Sequence, residues 1–262
     1  GAVPPEVADL MARLLDSDSA AVEGRWAETR QAAMAVLEHG LSSLFLRQVG
    51  ASHATIARGQ GDPDVAWRLV KLALPAGAEY QPGDQAIHIA LPLQQLAPAL
   101  ALDAVELPMA RDWLDAYDRW LAWTGAILGQ SEGQALWAEY HRRAGDQKQA
   151  HSHAEAALEH ASEPRQPLAL LTAHRILGEL DIETRRYDEA EQHLLESLTL
   201  ADACQTPFER ALTLLAQAEL QAARGQREDA RALLAEVQSI CEPLAAKPTL
   251  DRVAMLGARL AP

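Results

Sequence analysis

Glu139, Glu179 and Glu219 stand 40 residues apart in a chain of 262, and a carboxylate that returns at a fixed interval can act as a set. Stacked at one height on successive repeats, the three would form an anionic ladder for a basic peptide or a cationic ligand. Arg142, Arg143, Arg175 and Glu183 would lie near the concave groove of such a stack, and the arginines would equally neutralise the ladder in ion pairs. Glutamate also favours helices and covers solvated faces for that reason alone, so the bland reading stands beside the binding one.

A second group is aromatic. Trp113, Tyr117, Trp120 and Trp123 follow one another at spacings of four, three and three, which puts them on one helical stripe, and Trp137 and Tyr140 open the next helix nearby. Such a patch serves either as a hot spot for a partner or as a wall on which a sugar stacks. Large aromatics equally dominate buried packing between helices.

Histidines crowd the same region at His141, His151, His153, His160 and His174. Zinc motifs on helices place ligands about four residues apart on one face, whereas a separation of two turns His151 and His153 to directions about 200° apart. No metal or cofactor is expected. Cys204 and Cys241 lack metal-ligand spacing and read as small core residues of a reduced, cytoplasmic protein. No nucleophile, base and orienting acid occur in a motif context, so no enzymatic activity is expected.

The elements that must carry these groups are helices. Ala, Leu, Glu, Gln and Arg dominate, and no period-two runs of β-branched residues occur. Ala150, Ala190 and Ala230 repeat the interval of 40, as do Ala154, Leu194 and Leu234, and the pair Pro167 and Pro207. A period of this length marks a repeat architecture, in which each unit buries its apolar face only by stacking on its neighbours.

The expected fold is all-α: a right-handed superhelical array of antiparallel helix hairpins, about 12 to 13 helices in a single domain over residues 1–262. Regular repeats are expected at about 130–165, 166–205 and 206–245, less regular hairpins over 1–129, and a capping helix at 248–260. Within the irregular part, helices are expected at 4–15, 26–39, 41–58, 64–74, 85–104 and 109–123, with a break near Pro92 and Pro98. Residues 75–84, rich in Pro and Gly, read as a flexible linker, and Pro164 and Pro243 as the ends of second helices.

The run Leu177-Gly178, then Tyr187-Asp188-Glu189-Ala190, then Leu194 and Ser197-Leu198, resembles the tetratricopeptide repeat, and Ala218-Glu219-Leu220 with Gly225 and Ala230 resembles it again. The period is longer than the usual value of about 34, and His141, Asp181 and Gln221 replace an expected aromatic. More narrowly, residues 113–129, Arg165-Gln166-Pro167-Leu168-Ala169-Leu170, and the phrases at 200–204 and 208–214 resemble the helical-repeat region of large bacterial LuxR-type, maltose-activator-like transcription regulators. That resemblance implies an ATP-binding domain before the repeats and a helix-turn-helix domain after them. The opening Gly1-Ala2-Val3-Pro4-Pro5-Glu6 has neither an initiator Met nor a basic leader, and reads as part of something longer.

A formal net charge of -14 speaks against phosphate-backbone binding by this segment. No apolar run is long enough to span a bilayer. These observations converge on a non-catalytic interaction or effector-sensing domain, holding a protein segment or a small effector in its concave groove. A sugar or metabolite bound by the aromatic region, and a structural or self-associating spacer, remain open as alternatives.

Overall fold

The computed structural model describes residues 16–31 and 43–261. Its helices are α1 (Ser17–Val22), α2 (Ser43–Gly59), α3 (Pro63–Ala73), α4 (Ile87–Asp103), α5 (Leu107–Thr124), α6 (Gln130–Arg143), α7 (Gln147–Ser162), α8 (Pro167–Glu183), α9 (Tyr187–Ala203), α10 (Pro207–Ala223), α11 (Arg227–Leu244) and α12 (Lys247–Arg259). Residues 26–31 are also helical, and Gly77–Glu79 form one 3-10 turn. No strand occurs among the described residues. The chain is an all-α helical solenoid. The helix expected at 4–15 and most of the one expected at 26–39 lie outside the described residues.

Second helices begin at Leu107, Gln147, Tyr187 and Arg227, and first helices at Ile87, Pro167, Pro207 and Lys247, so the frame of 40 reaches back to residue 87. Only α6 starts late, after Gly125 and Gly129 take positive φ of 63° and 98°. The hairpin turns keep the same frame. Val105, Gly145, Arg185 and Gly225 sit at φ of 59°, 81°, 61° and 81°, the left-handed step that ends a helix and reverses the chain. Between hairpins Gln205 and Ala245 repeat the step, while a cis Glu163-Pro164 bond makes the remaining turn.

Packing explains the columns of small residues. Ala110, Ala150, Ala190 and Ala230 are buried on successive second helices, as are Leu114, Ala154, Leu194 and Leu234, then Tyr117, Ala157, Ser197 and Val237. Small side chains at these points let helix axes approach to about 8–10 Å. Gly178 marks one such close approach, since a Cβ there would stand 2.7 Å from Leu194 Cγ. Ser197 satisfies its buried hydroxyl by donating to the Leu171 carbonyl at 3.0 Å and pairing with Thr213 at 2.9 Å.

Each first helix packs on the next, α2 on α4, α4 on α6, α6 on α8, α8 on α10 and α10 on α12, and α12 returns to touch α2. Second helices pack on their own first helix and on the following one. A layer whose members touch directly follows the shorter arc, so the first helices line the inner face. The curl brings distant sequence together: Trp26 and Ile56 share one apolar core with Leu215, Val237, Cys241 and Val253.

Three local expectations change. α4 continues unbroken through Pro92 and Pro98, because its apolar faces are held on both sides by the core. Pro243 lies inside the last turn of α11 rather than ending it. The linker at 75–84 is tied down, since Arg119 donates to the Ala78 carbonyl at 2.7 Å and Trp120 Nε1 to the Tyr80 carbonyl at 3.3 Å.

Candidate interaction face

Helix spacing puts Glu139 on α6, Glu179 on α8 and Glu219 on α10, each near the C-terminal end of its helix. None of the three is a free acid. Arg142 Nη1 lies 3.1 Å from Glu139 and 2.7 Å from Glu179, while its Nε lies 2.7 Å from Glu183. Arg143 adds a second partner for Glu139 at 2.7 Å, and Arg175 bridges Glu179 and Glu209, both at 3.3 Å. Glu219 is held apart from this lattice by Arg252 of α12, at 3.0 Å. Glu139, Arg142, Arg143, Arg175, Glu179 and Glu183 therefore meet in one network across adjacent repeats, and Glu219 marks a separate pair.

Burial differs along the column. The Glu179 side chain is 7% exposed, against 24% for Glu139 and 28% for Glu219. Burial pushes the Glu179 carboxyl up, but the guanidinium groups of Arg175, Arg142 and Arg252 outweigh it and hold the group below its ordinary range. Arg175 Nε is buried without a hydrogen-bond partner among the described residues, one unspent N–H donor inside the network. Glu209 and Arg252 were not singled out by spacing. Arg252 lies in the terminal helix, and only the stacking of α12 on α10 brings it to the column.

The aromatic stripe divides. Trp113, Tyr117 and Trp120 are buried in the core, where Trp113 packs on Trp67 at 6.2 Å and Tyr117 donates to the Gly129 carbonyl at 3.0 Å. They do not form a surface for stacking a sugar. Trp123 is 59% exposed. Trp137 and Tyr140 contribute to a different, half-buried group, in which Trp137 donates to Asp118 at 2.9 Å and stacks on His153 at 6.0 Å. His153 in turn stacks on His141 at 5.1 Å.

His151 and His153 point to different neighbours, Asp181 of α8 at 3.2 Å and Gln134 of α6 at 2.7 Å. Among the described residues, no three His, Cys, Asp or Glu side chains converge as metal ligands. His174 Nδ1 lies 3.0 Å from His193 Nδ1. Asp181 is a buried carboxylate that the sequence presents only as a missing aromatic. It also pairs with Arg186 and lies 3.9 Å from His193.

Neither a family model nor a curated protein matches this chain. Solved structures do. One is a signal transduction ATPase with numerous domains, carrying a tetratricopeptide repeat sensor, from Pyrococcus horikoshii; it aligns with 88% of this chain at a TM-score of 0.60 and 13% identity. Another is a Rap protein complexed with competence and sporulation factor, aligning with 95% of this chain at a TM-score of 0.64 and 11% identity. The fold is that of a tetratricopeptide-type solenoid. The chain spans 34% of the first protein's length and 70% of the second's. No described helix is long and apolar enough to cross a membrane.

Proposed function

We propose that this solenoid is a non-catalytic interaction and sensing domain that binds an extended protein segment along its first helices. The observation that carries the reading is the Arg–Glu lattice, which spans α6, α8 and α10. A face built only to pack would be apolar. This one carries fixed charged groups on adjacent repeats, and the half-exposed Arg143 and Glu183 at its edge can offer a peptide a guanidinium donor and a carboxylate acceptor. Supporting it, chains of similar fold include a signal transduction ATPase with a tetratricopeptide repeat sensor and a Rap protein complexed with competence and sporulation factor. The resemblance to LuxR-type regulators fits the same role, as the sensing segment of a cytoplasmic transcription regulator lying between its ATPase and its DNA-binding domain.

Selection of short peptides from a random display library on the immobilised chain supplies a probe. Glu183→Gln and Arg143→Ala alter half-exposed members of the lattice without leaving a deeply buried charge unpaired. Each is expected to weaken the selected peptides at least tenfold. If neither changes the affinity, the lattice is not the binding face. A small-effector reading now rests on Trp137 and Tyr140 beside Asp118, and a tryptophan fluorescence titration with sugars tests that reading separately.

A further inference from the structure

The curl of the solenoid is closed at one seam by residues far apart in sequence. Gln60 Nε2 at the end of α2 donates to the Leu244 carbonyl at 2.9 Å, and a Cβ on Gly61 would lie 3.2 Å from Pro248. Residues 16–31 lie over this seam. The Trp26 ring is 5% exposed, faces Phe208 of α10 at 4.7 Å edge-on, and presses so closely on α2 that a Cβ on Gly59 would stand 2.7 Å from it. One indole thus touches the opening hairpin and the last full one. Gly24, at φ 80°, brings the backbone of the segment against Pro207.

The polar needs of the segment are met mostly within it. Trp26 Nε1 donates to the Ala21 carbonyl at 2.9 Å, and Arg25 pairs with Asp16, Glu23 and Glu28. Among the described residues, links to the body beyond apolar contact are few: Asp18 with Ser52, and Arg30 with Gln60 and Asp62. Lifting the segment would leave an apolar seat and few orphaned polar groups, which is the condition for a contact that opens locally without unfolding the rest.

We propose that residues 16–31 are a displaceable clasp, in which Trp26 fills a seat between α2 and α10 and holds the ring of first helices closed, and that the same segment supplied by a second copy of the chain can fill that seat and close it in turn. The seat fits this segment because it already holds it: Trp26 begins the helical stretch 26–31. The closed state joins α2 to α12, and the open state frees the two ends of the solenoid. The proposal concerns the seam alone and does not depend on what the Arg–Glu face binds.

Hydrogen exchange on the full chain tests it. Trp26→Ala is expected to speed amide exchange at least tenfold in α2 and α12 while α8 and α9 keep wild-type protection. Phe208→Ala should reproduce the pattern, and Arg30→Ala a weaker form of it. A synthetic peptide of residues 16–31, added in excess to the Trp26→Ala chain, should restore protection. The same peptide with alanine in place of the tryptophan should not. Unchanged exchange in α2 and α12 would overturn the clasp. So would equal loosening of every helix, which would make Trp26 an ordinary core residue, or failure of the tryptophan peptide to restore protection.

Discussion

Glu179 accepts a 2.7 Å ion-pair contact from Arg142, a residue of the preceding repeat, and does so almost out of reach of water. Two charges in that position lose hydration that their attraction only partly offsets, so the pair is a weak source of stability while intact and a strong liability when broken. Arg142→Ala strips Glu183 of its guanidinium partner and leaves Glu179 to Arg175 at a longer 3.3 Å. The expected loss is about 3 kcal/mol. Arg143→Ala touches only Glu139 at a half-exposed site and should cost less than about 1 kcal/mol. Urea unfolding at neutral pH compares the two. Equal midpoints for both variants would show that the lattice does not depend on burial.

Much of this architecture is written in the interval of 40, because each second helix must present the same small or aliphatic residues to the same neighbours. Ala110, Ala150, Ala190 and Ala230 are legible for that reason. The partners of the glutamate column are less so. Arg252 reaches Glu219 only after α12 has stacked on α10, and the interval gives no hint of it, since Leu212 stands forty residues earlier. Pro92 and Pro98 mislead in the same way, since local preference predicts a break that the surrounding core overrides. The seam between Gln60 and Leu244 joins residues 184 apart, a closure set by the accumulated curvature of the repeats and by no local pattern.

Gln94 shows a cost within the same frame. It is fully buried, and among the described residues neither its Oε1 nor its Nε2 has a partner. The positions that follow at the repeat interval are Gln134, His174 and Leu214; the first two find imidazole partners, and the third is apolar. Leu at 94 has nearly the volume of Gln and removes two unsatisfied polar atoms, each of which carries a desolvation penalty. Gln94→Leu is expected to raise stability by about 1–2 kcal/mol, visible as a higher urea midpoint and melting temperature. A fall in either would mean that the amide is satisfied in solution, by bound water or a ligand.

The contact between His174 and His193 makes stability depend on pH. Two Nδ1 atoms at 3.0 Å share one proton, with one ring donating and the other accepting, and a second proton would set two N–H groups against each other. Burial lowers the pKa of His174, and the His193 ring beside it lowers it further. For His193 burial again acts first; Asp181 opposes it, while His151 and Arg186 reinforce it. Both groups therefore bind protons less readily when folded than in the unfolded chain, where the ordinary value is about 6.5. Stability rises with pH wherever the unfolded state holds more protons. The contribution is complete above about pH 6.5 and is lost as the pH falls through that value toward the lower folded-state pKa values. His53, with its pKa pushed down to about 4 by burial and then by Arg30, acts in the same direction over a wider range. Changing His174 and His193 together to leucine installs the pair that the chain itself carries at Leu214 and Leu233. The double variant should lose less stability than the wild type between pH 7 and 5, with the remaining slope due to His53 and the other histidines. Urea midpoints measured at the two pH values give the comparison, and parallel slopes would remove the imidazole pair from the account of acid sensitivity.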